Sequence, residues 1–67
     1  MILNEVVSSN IRKVGYEDNN LIVEYISGKQ YKYENVPHEL YEDLLKADSK
    51  GRFMNEFIKG KFKYETL

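Results

Sequence analysis

Side chains alternate between apolar and polar with a period of two along residues 11–36, and short turn sequences interrupt the alternation twice. Successive side chains of a β-strand point to opposite faces, so the pattern predicts strands at 11–17, 21–26 and 30–36. The first turn is "EDNN", whose Asp and Asn residues tolerate positive φ, and the second contains Gly28. Connections this short join antiparallel neighbours, and we therefore expect a three-stranded antiparallel meander.

The predicted meander has one face that is more apolar than the other. Its first strand places Val14 and Tyr16 on this face and Ile11 and Lys13 on the opposite face. The later strands continue the apolar face with Leu21, Val23, Tyr25, Tyr31 and Tyr33. Residues 2–7 precede the meander and contain apolar side chains suited to a fourth strand at its edge.

The third strand carries a Y-x-Y motif, Tyr31-Lys32-Tyr33, whose two rings share a face. Such a pair is either a platform on which nucleic-acid bases stack or a part of the packed core. We favour burial, because amphipathic helices follow and need an apolar sheet face to cover. On that interpretation Lys32 faces solvent and pairs across strands with Glu24 or Glu34.

Apolar side chains recur at helical spacing after Val36, which predicts a helix at about 37–47. Pro37 suits its first turn, where the missing N–H would have no partner. The first-turn acid Glu39 suits the helix dipole.

A second helix follows the sequence "ADSKG", where Asp48 or Ser49 can cap its first turn. We expect Gly60 to end it and residues 61–67 to form a short strand or a helical extension. Four side chains at spacings of one, three and four are predicted to face inward, namely Phe53, Met54, Phe57 and Ile58. The predicted fold class is α+β, with the meander packed on one face by two C-terminal helices in a single domain over residues 1–67.

The chain has 67 residues and no cysteine, so it has room for one domain and for no disulfide or thiolate metal site. A core this small needs idealised packing or self-association. No apolar run approaches the ~20 residues of a membrane span, and the first residues lack the basic segment of a secretory signal. We therefore expect a cytoplasmic protein.

Charge is distributed unevenly along the chain, although the formal net charge is only −1. Residues 1–44 carry 4 basic and 8 acidic side chains, whereas residues 45–67 carry 6 basic and 3 acidic ones. Such asymmetry is typical of a protein with an anionic partner.

The residues that catalysis would require are sparse. The single histidine, His38, would have to act with one of four serines, Ser8, Ser9, Ser27 or Ser49. Its place beside Pro37, in the first turn of a helix, favours a surface position instead. The glycines lie at 15, 28, 51 and 60, which matches no phosphate-binding motif. We therefore expect no enzyme activity and no cofactor.

An acidic cluster on the first helix, Glu39, Glu42 and Asp43, has the i, i+3, i+4 spacing of a site for a hard cation. A solvated outer helix face explains the same residues, and we favour it because the oxygen ligands are few. We therefore expect no metal site.

The C-terminal part is the better candidate for a binding surface. Its basic side chains stand among Phe53, Phe57, Phe62 and Tyr64. Lysine and arginine that follow phosphates, with rings that take bases, make a groove for single-stranded nucleic acid. We expect Phe53 and Phe57 to be core residues all the same, since a helix buries residues at that spacing. The candidate phosphate contacts are Lys50, Arg52, Lys59, Lys61 and Lys63.

The ordered series "SSNI", "VGY", "LIVEY", "YKY", "VP" and "SKGRFMNEFIKGKF" resembles the KTSC domain. That family comprises a short module at the C-terminus of some lysyl-tRNA synthetases and small stand-alone proteins of bacteria and phages. Its hallmark is a central Y-x-Y, here Tyr31 to Tyr33. The resemblance spans nearly the whole chain, and RNA binding has been suggested for the family from its attachment to a tRNA-charging enzyme.

These observations predict a small non-catalytic binding module of unknown physiological role, whose partner is RNA or another nucleic acid. The alternative is a protein-interaction or self-associating module, which would use a sheet edge or the acidic face of the first helix.

Overall fold

The computed structural model describes residues 3–67 and contains one antiparallel sheet of five strands in the order β1-β2-β3-β4-β5. The strands are β1 (Asn4–Glu5), β2 (Ile11–Glu17), β3 (Asn20–Tyr25), β4 (Gln30–Tyr33) and β5 (Tyr64–Thr66). Helix α1 (His38–Lys46) follows β4, and helix α2 (Lys50–Phe53) continues into a π-helical turn (Met54–Ile58). No helix within residues 3–67 is long and apolar enough to cross a membrane.

The predicted α+β class, with helices on one face of the sheet, is confirmed, and the sheet has more strands than the predicted meander. Strand β1 is the predicted N-terminal edge strand, reduced to two residues; positions 1 and 2 lie outside the described part of the chain. The sequence predicts either a short strand or a helical extension for residues 61–67, and the structure shows a strand, β5. Tyr33 pairs with Tyr64, and Lys32 pairs with Glu65.

Both hairpin turns form where the sequence predicts them. Asp18 and Asn19 adopt φ values of 52° and 64°, which is the pair of positive angles that a two-residue type I′ turn requires. Gly28 has a φ of 93° in the next turn, where an L side chain would be strained.

An irregularity in β2 corrects the prediction for Ile11. The register shifts between Ile11 and Lys13, as in a β-bulge, so that Ile11 lies opposite Tyr25 while Lys13 lies opposite Glu24. The extra residue moves Ile11 onto the same face as Val14, and both are fully buried. The strict alternation places Ile11 with Lys13, which is wrong because a bulge changes the phase of the strand.

The core lies between the sheet and the helical segments. Pro37 stands immediately before α1, and Ser49 caps α2 by accepting a hydrogen bond from the Arg52 N–H at 3.4 Å. The buried side chains of this core cluster are Ile11, Val14, Leu21, Val23, Tyr33, Val36, Leu44, Met54 and Ile58.

Phe57 does not belong to this core, contrary to the prediction. Its side chain is 46% exposed, and its ring packs on Phe53 at a centroid distance of 4.8 Å. The π-helical turn is the reason: the Lys59 N–H bonds to the Met54 carbonyl five residues earlier. This wider turn keeps Met54 and Ile58 facing the sheet and moves Phe57 away from it.

Candidate functional site

Four tyrosines from three strands meet on the helix-covered face of the sheet. Tyr31 is at their centre, with ring centroids 5.5 Å from Tyr25, 6.4 Å from Tyr33 and 5.7 Å from Tyr64. Tyr31 meets Tyr25 and Tyr64 edge-on, which is a favourable arrangement for aromatic contacts, and it meets Tyr33 at an interplanar angle of 41°. We call Tyr25, Tyr31, Tyr33 and Tyr64 the tyrosine cluster.

Strand pairing explains why the cluster forms. Tyr31 and Tyr33 point to one face of β4, and the antiparallel register places Tyr64 of β5 opposite Tyr33. Tyr25 lies at the end of β3, just before the hairpin turn that leads into β4.

The two tyrosines of the Y-x-Y motif have different surroundings. Tyr33 is only 3% exposed and belongs to the hydrophobic core. Tyr31 is half-buried: it packs against that core and also lines both cavities described below. The motif therefore joins a core residue to a residue that a ligand can reach.

A pair of hydroxyl groups lies at the base of the cluster. The hydroxyl oxygens of Tyr25 and Tyr33 are 3.3 Å apart. Burial raises the pKa of Tyr25, and its hydrogen bond with Tyr33 raises it further. Burial likewise raises the pKa of Tyr33, although the bond with Tyr25 opposes this effect. Both groups therefore stay protonated at neutral pH and act as neutral hydrogen-bonding groups.

A groove runs between the tyrosine cluster and the α2 segment, and it contains two adjoining cavities. The first, of about 380 Å³, lies between the β3–β4 hairpin and the helix, and the second, of about 430 Å³, lies over the cluster itself. Tyr25, Tyr31 and Lys59 line both cavities. Both cavities are open to solvent, so a ligand can enter the groove from the surface.

Lysines supply all of the formal charge in the groove. Lys59 lies over the ring of Tyr25, with Nζ 5.1 Å from the ring centroid, and Lys29 lines the first cavity. Within residues 3–67, neither lysine has an acidic partner within 4.0 Å, and no carboxylate lines either cavity. The groove is thus cationic in a chain whose net charge is slightly negative.

The five basic residues that the sequence singled out have different surroundings in the structure. Lys59 alone lines the groove. The Lys50 ammonium donates to the Ala47 carbonyl at 3.1 Å. Arg52 donates from Nε to the Glu56 carboxylate at 2.8 Å, which raises the pKa of Arg52. Lys61 and Lys63 are exposed on the segment that leads from Gly60 into β5.

Lys32 faces away from the cluster, and its partner differs from the two that the sequence suggested. Its ammonium lies 2.7 Å from the Glu65 carboxylate, which raises the pKa of Lys32. Glu24 instead accepts a hydrogen bond from the Gln30 side chain at 2.7 Å. The prediction of Glu24 or Glu34 is wrong because β5, whose pairing the local sequence does not specify, supplies the neighbour.

His38 lies on the surface. Its side chain is 62% exposed, its ring packs edge-on against Tyr16 at 5.2 Å, and its Nδ1 is 3.6 Å from the Glu42 carboxylate. Two of the four candidate serines have turn or cap roles, since Ser8 accepts from the Ile11 N–H and Ser49 from the Arg52 N–H.

The acidic cluster of α1 lies on the outer surface of the helix. Glu39, Glu42 and Asp43 are all exposed. In the described part of the chain no three His, Cys, Asp or Glu side chains are grouped so that they could hold a metal ion.

Sequence reasoning missed the polar side chains of the first cavity, which include Asn10, Lys29 and Asn55. One signal was available. Gly51, Asn55 and Lys59 recur every four residues, a spacing that places them on one side of a helix, and all three line the cavity. Asn10 and Lys29 come from separate turns, and nothing local indicates that they approach this side.

Comparison with known protein families gives a match to the KTSC domain over residues 7–62. The matched region contains every groove residue named so far except Tyr64. A solved structure, a KTSC domain protein from Yersinia pestis, superimposes with a TM-score of 0.94 at 35% identity, covering 98% of this chain and 96% of that one.

The curated relatives are of two kinds. A lysine–tRNA ligase from Nostoc punctiforme is 48% identical in an alignment of 61 positions that covers 88% of this chain and 11% of the ligase. A protein from Tsukamurella paurometabola is 38% identical over 67 residues, covering 97% of this chain and all of that protein. The chain thus corresponds to about a tenth of the ligases it matches, and to the whole length of a small protein.

Proposed function

The chain belongs to the KTSC domain family, and from this premise we propose that it is a non-catalytic module that binds single-stranded RNA in the groove between the tyrosine cluster and the α2 segment. Single-stranded RNA is recognised through unstacked bases that lie on aromatic rings, while basic side chains follow the phosphates. The groove offers both kinds of group within a few ångströms.

The observation that carries the proposal is the position of Lys59. Its ammonium lies over the Tyr25 ring and beside the half-buried Tyr31, in a groove that no carboxylate of the described residues lines. Unlike Lys32 and Arg52, Lys59 has no acidic partner within 4.0 Å among residues 3–67. The Lys59 charge is instead available to an anionic ligand.

The relatives support an RNA partner. Several bear the name lysine–tRNA ligase, which is the name of an enzyme class that acts on an RNA, and this chain matches a segment of them. We place the module in the bacterial or phage-infected cytoplasm, where RNA partners are available. Lys61 and Lys63, exposed beyond Gly60, provide further phosphate contacts along the same strand of RNA.

Binding of labelled RNA, followed by fluorescence anisotropy, tests this proposal. We expect a single-stranded 10-mer to bind at low salt and to lose affinity as salt rises, with a log–log slope of about −0.7 for each phosphate contact. A Lys29→Gln/Lys59→Gln double variant should bind more weakly, whereas Lys13→Gln/Lys46→Gln, which removes the same charge elsewhere, should bind like the parent. Absence of salt-dependent binding at micromolar protein would overturn the proposal.

Self-association through a sheet edge is less well supported. The edge strands β1 and β5 have two and three residues, and very short edges are a common way to prevent pairing between chains. A sedimentation experiment should therefore show a monomer, and a stable dimer that excludes RNA would favour the interaction module instead.

A further inference from the structure

The groove is divided into two cavities with different walls, and we infer that it holds two consecutive unpaired nucleotides, with one base in each cavity and Lys59 at the phosphate between them. This inference rests on the proposed function and adds the register of the ligand in the same site. On this inference the first cavity distinguishes bases and the second accepts any base.

The second cavity has the walls of a stacking site. Tyr31 and Tyr64 line it together with the almost fully buried Tyr33, and Gly60 contributes backbone without a side chain. The Tyr64 side chain is 59% exposed, so its ring is open to a ligand. Every base has a π-face, so stacking on such rings binds a nucleotide with little regard to its identity.

The first cavity has the walls of a site that distinguishes bases. The side chains of Asn10, Ser27 and Asn55 line it beside Tyr25 and Tyr31. Side-chain amides present a donor and an acceptor together, and unpaired bases are read by hydrogen bonds to their edges. The amides of Asn10 and Asn55 make no hydrogen bond to any other residue within 3–67, so both are available to a ligand.

Gly51 makes the position of Asn10 possible. A Cβ on Gly51 would lie 2.8 Å from the Asn10 Nδ2 atom, which is closer than such atoms approach. The glycine therefore allows the amide to lie against the start of α2, at the wall of the first cavity. Asn55 lies one helical turn further on, in the π-helical segment, an irregularity often found at functional sites.

Lys59 connects the two cavities. Three residues line both cavities, namely Tyr25, Tyr31 and Lys59, and Lys59 is the charged one among these three. The link between consecutive nucleotides is a phosphodiester, which is the anion that an ammonium group binds. Asn10 and Asn55 line the first cavity, Lys59 lines both and Tyr64 lines the second, an order that matches base, phosphate and base.

A nucleotide length series tests the inference on the full chain by chemical-shift titration. The probes are 5′-phosphorylated oligoadenylates and oligouridylates of one, two and four nucleotides. We expect the affinity to rise about tenfold from one nucleotide to two and by less from two to four. Asn55→Ala should remove most of the difference between adenylate and uridylate dinucleotides, while Asn4→Ala, an exposed asparagine of β1, should leave it unchanged.

The outcomes separate this inference from the proposed function. If longer RNA binds but the dinucleotide binds no better than the mononucleotide, or if Asn55→Ala keeps the base preference of the parent, the two-base register is wrong and the RNA module stands. If no RNA of any length binds at low salt, the proposed function fails and the inference fails with it.

Discussion

The Lys59 ammonium lies 5.1 Å from the centroid of the Tyr25 ring, and both residues line both cavities of the groove. A cation over an aromatic face is held by the quadrupole of the ring, and at an exposed site this attraction is worth about 0.5–1 kcal/mol. The contact orients the lysine without neutralising it. Lys59 is therefore favoured over the ring and has no acidic partner within 4.0 Å among residues 3–67.

Replacing Lys59 by glutamine is expected to weaken RNA binding and to make the log–log salt slope less negative by about 0.7, because one phosphate contact is lost. Lys46→Gln removes a charge from the end of α1 and serves as the matched control. Anisotropy titrations at several salt concentrations measure both quantities. An unchanged slope for Lys59→Gln would show that its ammonium contacts no phosphate.

Alanine substitutions should separate the two tyrosines of the Y-x-Y motif. Tyr33→Ala empties a core position and should lower the free energy of unfolding by about 3–5 kcal/mol. The whole free energy of unfolding expected for a chain of 67 residues is roughly 3–10 kcal/mol. Tyr31→Ala should cost less, about 1–2 kcal/mol, and should also weaken RNA binding. Urea unfolding measures the stabilities, with the exposed Tyr64→Ala as a reference. Equal losses for Tyr31 and Tyr33 would contradict their different burial.

High pH is expected to destabilise the fold through Tyr25. An unfolded tyrosine loses its proton near pH 10, whereas burial raises the pKa of Tyr25 in the folded chain. The folded state therefore retains a proton that the unfolded state releases, and stability falls as the pH rises above about 10. Tyr25→Phe removes this group, so its urea midpoint should fall less between about pH 9 and pH 11 than that of the parent. If the urea midpoints of the parent and of Tyr25→Phe fall by the same amount, Tyr25 is not the source of the lost stability. Both proteins carry the same lysines, so the lysines cannot cause a difference between them.

Gly51→Ala should change binding more than stability. Alanine stabilises a helix by about 1 kcal/mol relative to glycine. This gain offsets the unfavourable contact between the new Cβ at position 51 and the Asn10 amide. That amide must move, so we expect the preference between adenylate and uridylate to weaken while the unfolding free energy changes little. Chemical shifts of the Asn10 side-chain amide report the displacement directly. A full loss of folding would mean that the backbone, and not the amide, takes up the strain.

The amino-acid sequence determined the elements that depend on neighbouring residues. Alternation identified the three central strands, Asp18, Asn19 and Gly28 identified the turns, and helical spacing identified both helices. The order of these motifs also identified the family. Each of these features follows from local geometry, since a turn or a helical face is defined within a few residues of chain.

The tertiary structure decided everything that depends on residues far apart in the chain. It paired β5 with β4, which gave Lys32 its Glu65 partner and added Tyr64 to the cluster. A bulge in β2 places Ile11 in the core, and a π-helical turn exposes Phe57. The pattern of apolar and polar side chains predicts neither irregularity. The groove also depends on residues that are far apart in the chain. Strand register and helix packing bring four side chains to one side of the tyrosines, namely Asn10, Lys29, Asn55 and Lys59. Local propensity does not specify this arrangement, because long-range packing selects which surfaces meet.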